Sequence, residues 1–300
     1  MSIIVTTLVI AALAPGDGSS ANQVLERLLN KGVPVSDGAF VKLPAPAMPD
    51  ALDAAGQHAL IAKLAEGKHS VEELMRKSIV SPLMLNIQPI KSPGGRSPLR
   101  QVDVWFIAYG DWERVSSKDF LESLLGFAGG SATGASTSSS GFLSPAALAK
   151  RAIQLESRPD QQEGRYFTRI SLFDRVELSA TRQVLITRRP DSLLIAAAID
   201  PCFNGDPEYP NQWRSMSRDL DNPHRVVYGQ PQVYTSAGFY GKITRLAEPA
   251  GAMFVEYHVV FEEPEGWFSG ANLLGSKLPL VIQDEVRKFR RRVLGPPSSK

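Results

Sequence analysis

The chain has 300 residues, 43% of them hydrophobic and 21% charged, with one cysteine, and a mean hydropathy of -0.11. These values describe a folded, water-exposed protein and exclude collagen, disulfide scaffolds and multi-span membrane proteins. With 33 basic residues against 31 acidic ones and a net charge of +2, no specific nucleic-acid binding is expected.

Residues 3–14 are an uncharged apolar run, too short to span a bilayer comfortably. Pro15 and Gly16 follow it, and Ser19 and Ala21 are small residues suitably placed for a cleavage after Ala21. Residues 1–21 therefore read as a secretory signal peptide, which predicts export to the periplasm, the cell envelope or the medium. No Lys or Arg precedes the apolar run, so an uncleaved anchor is the alternative.

Residues 22–80 read as an N-terminal helical segment. Val24, Leu25, Leu28 and Leu29 lie at helical spacing ahead of Gly32, and Leu52, Ala55, Ala59, Leu60 and Leu64 repeat the pattern. Between them the prolines Pro44, Pro46 and Pro49 make residues 43–49 a rigid, non-helical connector. Ser70 with Glu73 three residues on is a capping box.

Residues 81–300 read as a single domain. Residues 82–87 and 101–109 are extended, 119–127 a brief helix, and 129–141 a Gly/Ser/Thr/Ala tract too poor in apolar groups to order itself. The tract is taken as a flexible loop inside the domain, with a domain boundary as the other reading. Further strands are expected at 166–173, 176–187, 192–199, 233–247 and 252–262, with a long loop at 201–231. Leu274, Leu278, Ile282, Val286, Phe289 and Val293 form one helical stripe, predicting an amphipathic helix over 277–294 capped by Ser276, with Pro279 in its first turn. The fold class is therefore α+β: six to eight mostly antiparallel strands in a curved sheet packed on a long C-terminal helix, with small N-terminal helices.

Dinucleotide, phosphate-loop, zincin, α/β-hydrolase and thiol-redox motifs are all missing from the sequence, and His58, His69, His224 and His258 are too scattered to form a recognisable metal set. No metal or cofactor is expected. Alternation along 252–260 puts Glu256, His258 and Phe254 on one strand face, with Met253, Val255, Tyr257 and Val259 on the other. Glu256 and His258 could form a carboxylate-oriented general base, which would make the chain a hydrolase or lyase. Alternatively, they are solvated residues on an exposed face. The lone Cys202 reads as a buried or half-buried structural thiol. Trp105 and Tyr109 share a strand face and suit either a core or the wall of an apolar pocket. Six basic residues and no acidic one lie between Arg287 and Lys300, which suits a helix C-terminus and also contact with a polyanion or anionic lipid.

The order of helices, antiparallel meander and long C-terminal helix resembles the START-like, helix-grip superfamily of hydrophobic-ligand proteins and polyketide-cyclase relatives. The strands at 233–247 and 252–262, the turn at Gly266, Trp267 and Phe268, and the helix from Lys277 carry the resemblance. It implies a curved sheet gripping the helix around an apolar cavity. The expected role is then non-catalytic binding of a hydrophobic or lipid-like small molecule, with Trp105, Tyr109, Phe254, Leu278, Ile282 and Phe289 as candidate ligand contacts. An envelope structural or interaction protein is the remaining reading.

Overall fold

Asn22 caps the first helix by accepting the Leu25 N–H at 2.9 Å, and α1 (Gln23–Asn30) turns Val24 and Leu28 inward. The computed structural model describes residues 21–35, 38–90, 98–127, 140–219, 222, 225–268 and 273–295. Residues 1–20 of the expected signal peptide, nearly all of the 129–141 tract and His224 lie outside them. A two-stranded ribbon, β1 (Val33–Pro34) and β2 (Phe40–Val41), leads into the proline-rich segment. Then come α2 (Ala54–Ala65), capped by Asp53, and α3 (Val71–Leu74), which has the Ser70–Glu73 capping box.

The chain next enters the sheet through β3 (Met84–Ile90) and β4 (Leu99–Tyr109). Short helices α4 (Trp112–Ser116) and α5 (Lys118–Phe127) follow, then β5 (Gly141–Phe142), α6 (Pro145–Ala149) and β6 (Ser157–Arg158). The long strands β7 (Gln161–Leu172), β8 (Val176–Arg188) and β9 (Ser192–Ile199) lead to a single 3₁₀ turn, Pro201–Phe203. The remaining elements are β10 (Gln212–Arg218), β11 (Val226–Tyr228), β12 (Gln232–Val233), β13 (Ala237–Arg245), β14 (Ala252–Glu262) and α7 (Leu273–Leu294).

Among the described residues, twelve strands form one curved antiparallel sheet whose spine runs β3-β4-β14-β13-β9-β8-β7. The fold is α+β, as the sequence pattern predicts. The 201–231 stretch departs from expectation, because it supplies β10 and β11. The reason is tertiary: β9 pairs with β8 only from Arg182 onward, so residues 176–179 of β8 have an open edge, which β10 fills. Pairing with an open ladder outweighs a local composition that favours turns.

Helix α7 also differs. It starts at Leu273 rather than after a Ser276 cap, so Pro279 sits inside it. Leu274 is buried against Trp267 and Phe268, and that burial offsets the backbone hydrogen bond a helical proline forgoes. Further along, Ile282, Val286, Phe289 and Val293 pack into the sheet, with Phe289 edge-on to Phe106 at 5.2 Å and to Phe120 at 5.3 Å. Arg290 belongs to the basic tail yet is buried. Its guanidinium donates to the carbonyls of Ile107 (2.9 Å), Ser81 (2.5 Å) and Pro82 (2.9 Å), and burial pushes its pKa down to about 10. Lys288 is engaged by Asp284 at 2.9 Å and Glu285 at 2.7 Å. Of the tail cations, Arg290 thus acts inside the fold and Lys288 pairs along its own helix, while Arg287, Arg291 and Arg292 face solvent. No described helix is long and apolar enough to cross a membrane.

The end of β4 approaches α7 so closely that a β-carbon on Gly110 would overlap the Val293 carbonyl and side chain. Gly110→Ala should therefore lower stability by about 1–3 kcal/mol through overpacking, read as a lower denaturation midpoint at unchanged slope.

Candidate functional site

Strands β4, β13 and β14 are buried on both faces. Toward α7 they present Val104, Phe106, Phe239, Ile243, Val255 and Tyr257. Toward the N-terminal segment they present Trp105, Tyr109, Tyr240, Phe254, Glu256 and His258. The period-2 geometry of a strand thus assigns neighbouring residues to two different chemical environments.

On the α7 face the side chains do not close up completely. A cavity of about 230 Å³ lies between sheet and helix, bounded by Phe106 and Phe289, by Val255 and Tyr257 of β14, and by Trp267 and Leu274. Its wall is almost entirely apolar. Its one lining cation among the described residues is Arg182 of β8, 7% exposed, and the carboxylates Glu256 and Glu285 also border it. One terminal nitrogen of Arg182 donates to the Leu125 carbonyl at 3.0 Å and to the Thr168 hydroxyl, and the guanidinium lies over the rings of Phe239 (5.3 Å) and Tyr166 (5.6 Å). Its Nε has no acceptor among the described residues, and no described carboxylate pairs with it. Burial pulls its pKa down from the usual arginine range, but a guanidinium stays protonated. Trp267 Nε1 is a second buried donor on the wall with no described acceptor. Glu285 also borders the cavity and is held by Lys288.

The opposite face holds the Glu256–His258 pair, and neither residue is solvated: they are 0% and 1% exposed. The proline-rich segment 43–49 lies across them as a strap. Glu256 accepts the strap N–H groups of Ala47 at 2.6 Å and Met48 at 3.3 Å. Tyr240 donates to the Pro44 carbonyl at 2.9 Å, and Lys242 donates to the Met48 carbonyl at 2.5 Å and pairs with Asp50 at 2.8 Å. His258 Nδ1 lies 2.7 Å from Asp103, which is 3% exposed, and its Nε2 lies 3.5 Å from Glu256. The imidazole stacks on Tyr240 at 4.7 Å and meets the Trp105 ring edge-on at 5.3 Å. Burial opposes the imidazolium, but the hydrogen bond to Asp103 and the nearby Glu256 carboxylate outweigh it and hold the His258 pKa above its ordinary value. The exposed-face reading of this pair is thereby corrected. The carboxylate is covered because it supplies acceptors to a strap whose prolines leave it few donors.

The sequence-derived ligand contacts divide between the two faces. Leu278, Ile282 and Phe289 border the cavity. Trp105, Tyr109 and Phe254 instead pack under α2 and α3 with Ile61 and Leu74, and the Tyr109 hydroxyl donates to the Met75 carbonyl. Glu256 borders the cavity, yet its carboxylate is engaged by the strap and lies 3.5 Å from His258, which is not among the lining residues. Arg182 was missed. The available signal was the inward alternation of Leu178, Ala180, Arg182, Val184 and Ile186, which places one cation on a core face.

The acidic residues after β9 are used locally. Asp200 accepts from Arg165 at 2.5 Å. Asp206 accepts from Arg151 at 2.6 Å, which brings its carboxyl to about 2. Cys202 is exposed rather than buried, and its hydrogen bond to Asp200 raises the thiol pKa.

No protein-family model matches the chain, and no curated protein matches it in sequence. Among solved structures it is similar to human STARD10, at 10% identity and a TM-score of 0.34 over 81% of each chain. It is also similar to a conserved protein from Geobacillus kaustophilus, at 10% identity and a TM-score of 0.31, covering 64% of this chain and 94% of that one. The resemblance to the START-like superfamily is one of element order.

Because the folded pKa of His258 is raised, its contribution to stability is complete below the unfolded value of about 6.5 and is lost as pH rises through the folded value. His258→Gln keeps a polar side chain without the titration. The variant should show a flatter stability curve across that window by chemical denaturation, with its largest deficit at the acidic end.

Proposed function

We propose that this protein binds a small apolar molecule, without chemistry, in the space between the sheet and α7. The observation that supports this reading is the cavity itself: about 230 Å³ inside a densely packed core, walled by aliphatic and aromatic side chains. Its volume lies between the roughly 150 Å³ known to hold benzene and the roughly 300 Å³ at the lower end of drug-sized pockets.

Placement also favours binding over catalysis by Glu256 and His258. Glu256 borders the cavity, but its carboxylate is held by the strap N–H groups of Ala47 and Met48, and His258 is not part of the wall and pairs with Asp103. Export, expected from residues 1–21, completes the proposal. Protein recovered from its native host's envelope or medium should begin at Asn22 by intact mass, whereas a retained Met1 would rule out the cleaved signal.

Gly241 lies on the cavity floor, and a β-carbon there meets only ordinary contacts, the nearest being Tyr257 at 3.4 Å. Gly241→Leu should fill the space from the sheet side without backbone strain. We expect it to weaken binding of the fluorescent apolar probe N-phenyl-1-naphthylamine by about tenfold, equivalent to about 1.4 kcal/mol, while the melting temperature holds or rises. Unchanged probe binding would place the probe elsewhere and count against the cavity.

A further inference from the structure

We infer that the cavity takes an amphiphile: an anionic head, a carboxylate in the simplest case, seated on Arg182, and an apolar chain filling the remaining space. The inference rests on the cavity-binding reading above and adds the chemical class of the occupant.

Arg182 carries the argument. It is more than nine-tenths buried, lies on the cavity wall, and has no counter-charge among the described residues. A buried cation normally pairs, because an uncompensated charge in a low-dielectric interior is strongly unfavourable. The carbonyl of Leu125, the hydroxyl of Thr168 and the rings of Tyr166 and Phe239 offer dipoles and π-faces, but none of these supplies a negative charge. Nε remains without an acceptor, and a guanidinium with a free edge is suited to a carboxylate. The two carboxylates that border the cavity are already engaged, Glu285 by Lys288 and Glu256 by the strap N–H groups of Ala47 and Met48. Trp267 Nε1 adds another donor, so the wall offers N–H groups to an occupant bearing oxygen acceptors. Most of the rest of the wall is aliphatic or aromatic and is suited to a hydrocarbon chain, and the volume suits one of medium length.

Calorimetric titration of the wild-type chain at neutral pH with decanoate, decanol and acetate separates the terms. Decanoate carries head and chain, decanol the chain with a neutral head, and acetate the head alone. Decanoate should bind about tenfold or more tightly than decanol, the ratio expected when a hydrogen bond gains a charge, and acetate should not compete. In Arg182→Met the preference for decanoate should vanish while decanol binds at least as well as before. If that variant does not fold, Arg182→Lys, which keeps the charge and loses the planar fork, should reduce the preference, and the wild-type series decides the matter without either variant. Equal binding of decanoate and decanol, or a preference that survives Arg182→Met, would overturn the anionic head while leaving the apolar cavity standing. Acetate binding as tightly as decanoate would make the site one for a free anion and overturn the amphiphile. If neither decanol nor decanoate binds, the cavity reading itself fails and this inference with it.

Discussion

The fold depends on burying both faces of its central strands. Because side chains alternate across a strand, β4, β13 and β14 must each serve two interiors at once: an apolar one under α7 and a mixed one under the N-terminal strap and helices. In β14 the odd positions are hydrocarbon or aromatic, while the even positions include Glu256 and His258. A one-residue slip in register would exchange the two sets, placing charge in the apolar interior, so the pattern itself pins the pairing.

The polar interior works because every charge in it has an assigned task. The strap at 43–49 has prolines in place of the N–H groups that a sheet or helix would pair; of its remaining donors, Ala47 and Met48 meet Glu256 and Leu43 meets the Leu28 carbonyl. Lys242 takes the Met48 carbonyl and Asp50, and Asp103 takes His258. Such a network carries a desolvation cost that its hydrogen bonds must offset, and its return is a unique seating for a segment with no secondary structure. The same residues, seen in sequence, resemble an acid–base pair. Burial and partner geometry, rather than residue type, distinguish a positioning cluster from a reactive one.

The apolar interior has the opposite imbalance. It retains a cavity and, among the described residues, one cation without a counter-charge, where close packing and charge pairing are the rule. Arg182 and the cavity are two departures from that rule at one place in the fold. Proteins concentrate such departures where another molecule supplies what the chain lacks.

The sequence by itself determined the long strands, the capping of α1 and α3, the face-by-face alternation of β14 and the apolar stripe of α7, because these follow from local periodicity and cap chemistry. It also contained the inward position of Arg182, though only as one cation in an alternating strand. Tertiary structure decided the rest. Which covering each face of β14 receives, whether Trp105 and Phe254 meet a cavity or the underside of α2, and whether β10 finds an open edge on β8 all depend on chain segments far apart in sequence. Alternation tells a residue which neighbours share its face, but not what arrives to cover it, since that covering comes from residues about 200 positions away, as when Ala47 reaches Glu256.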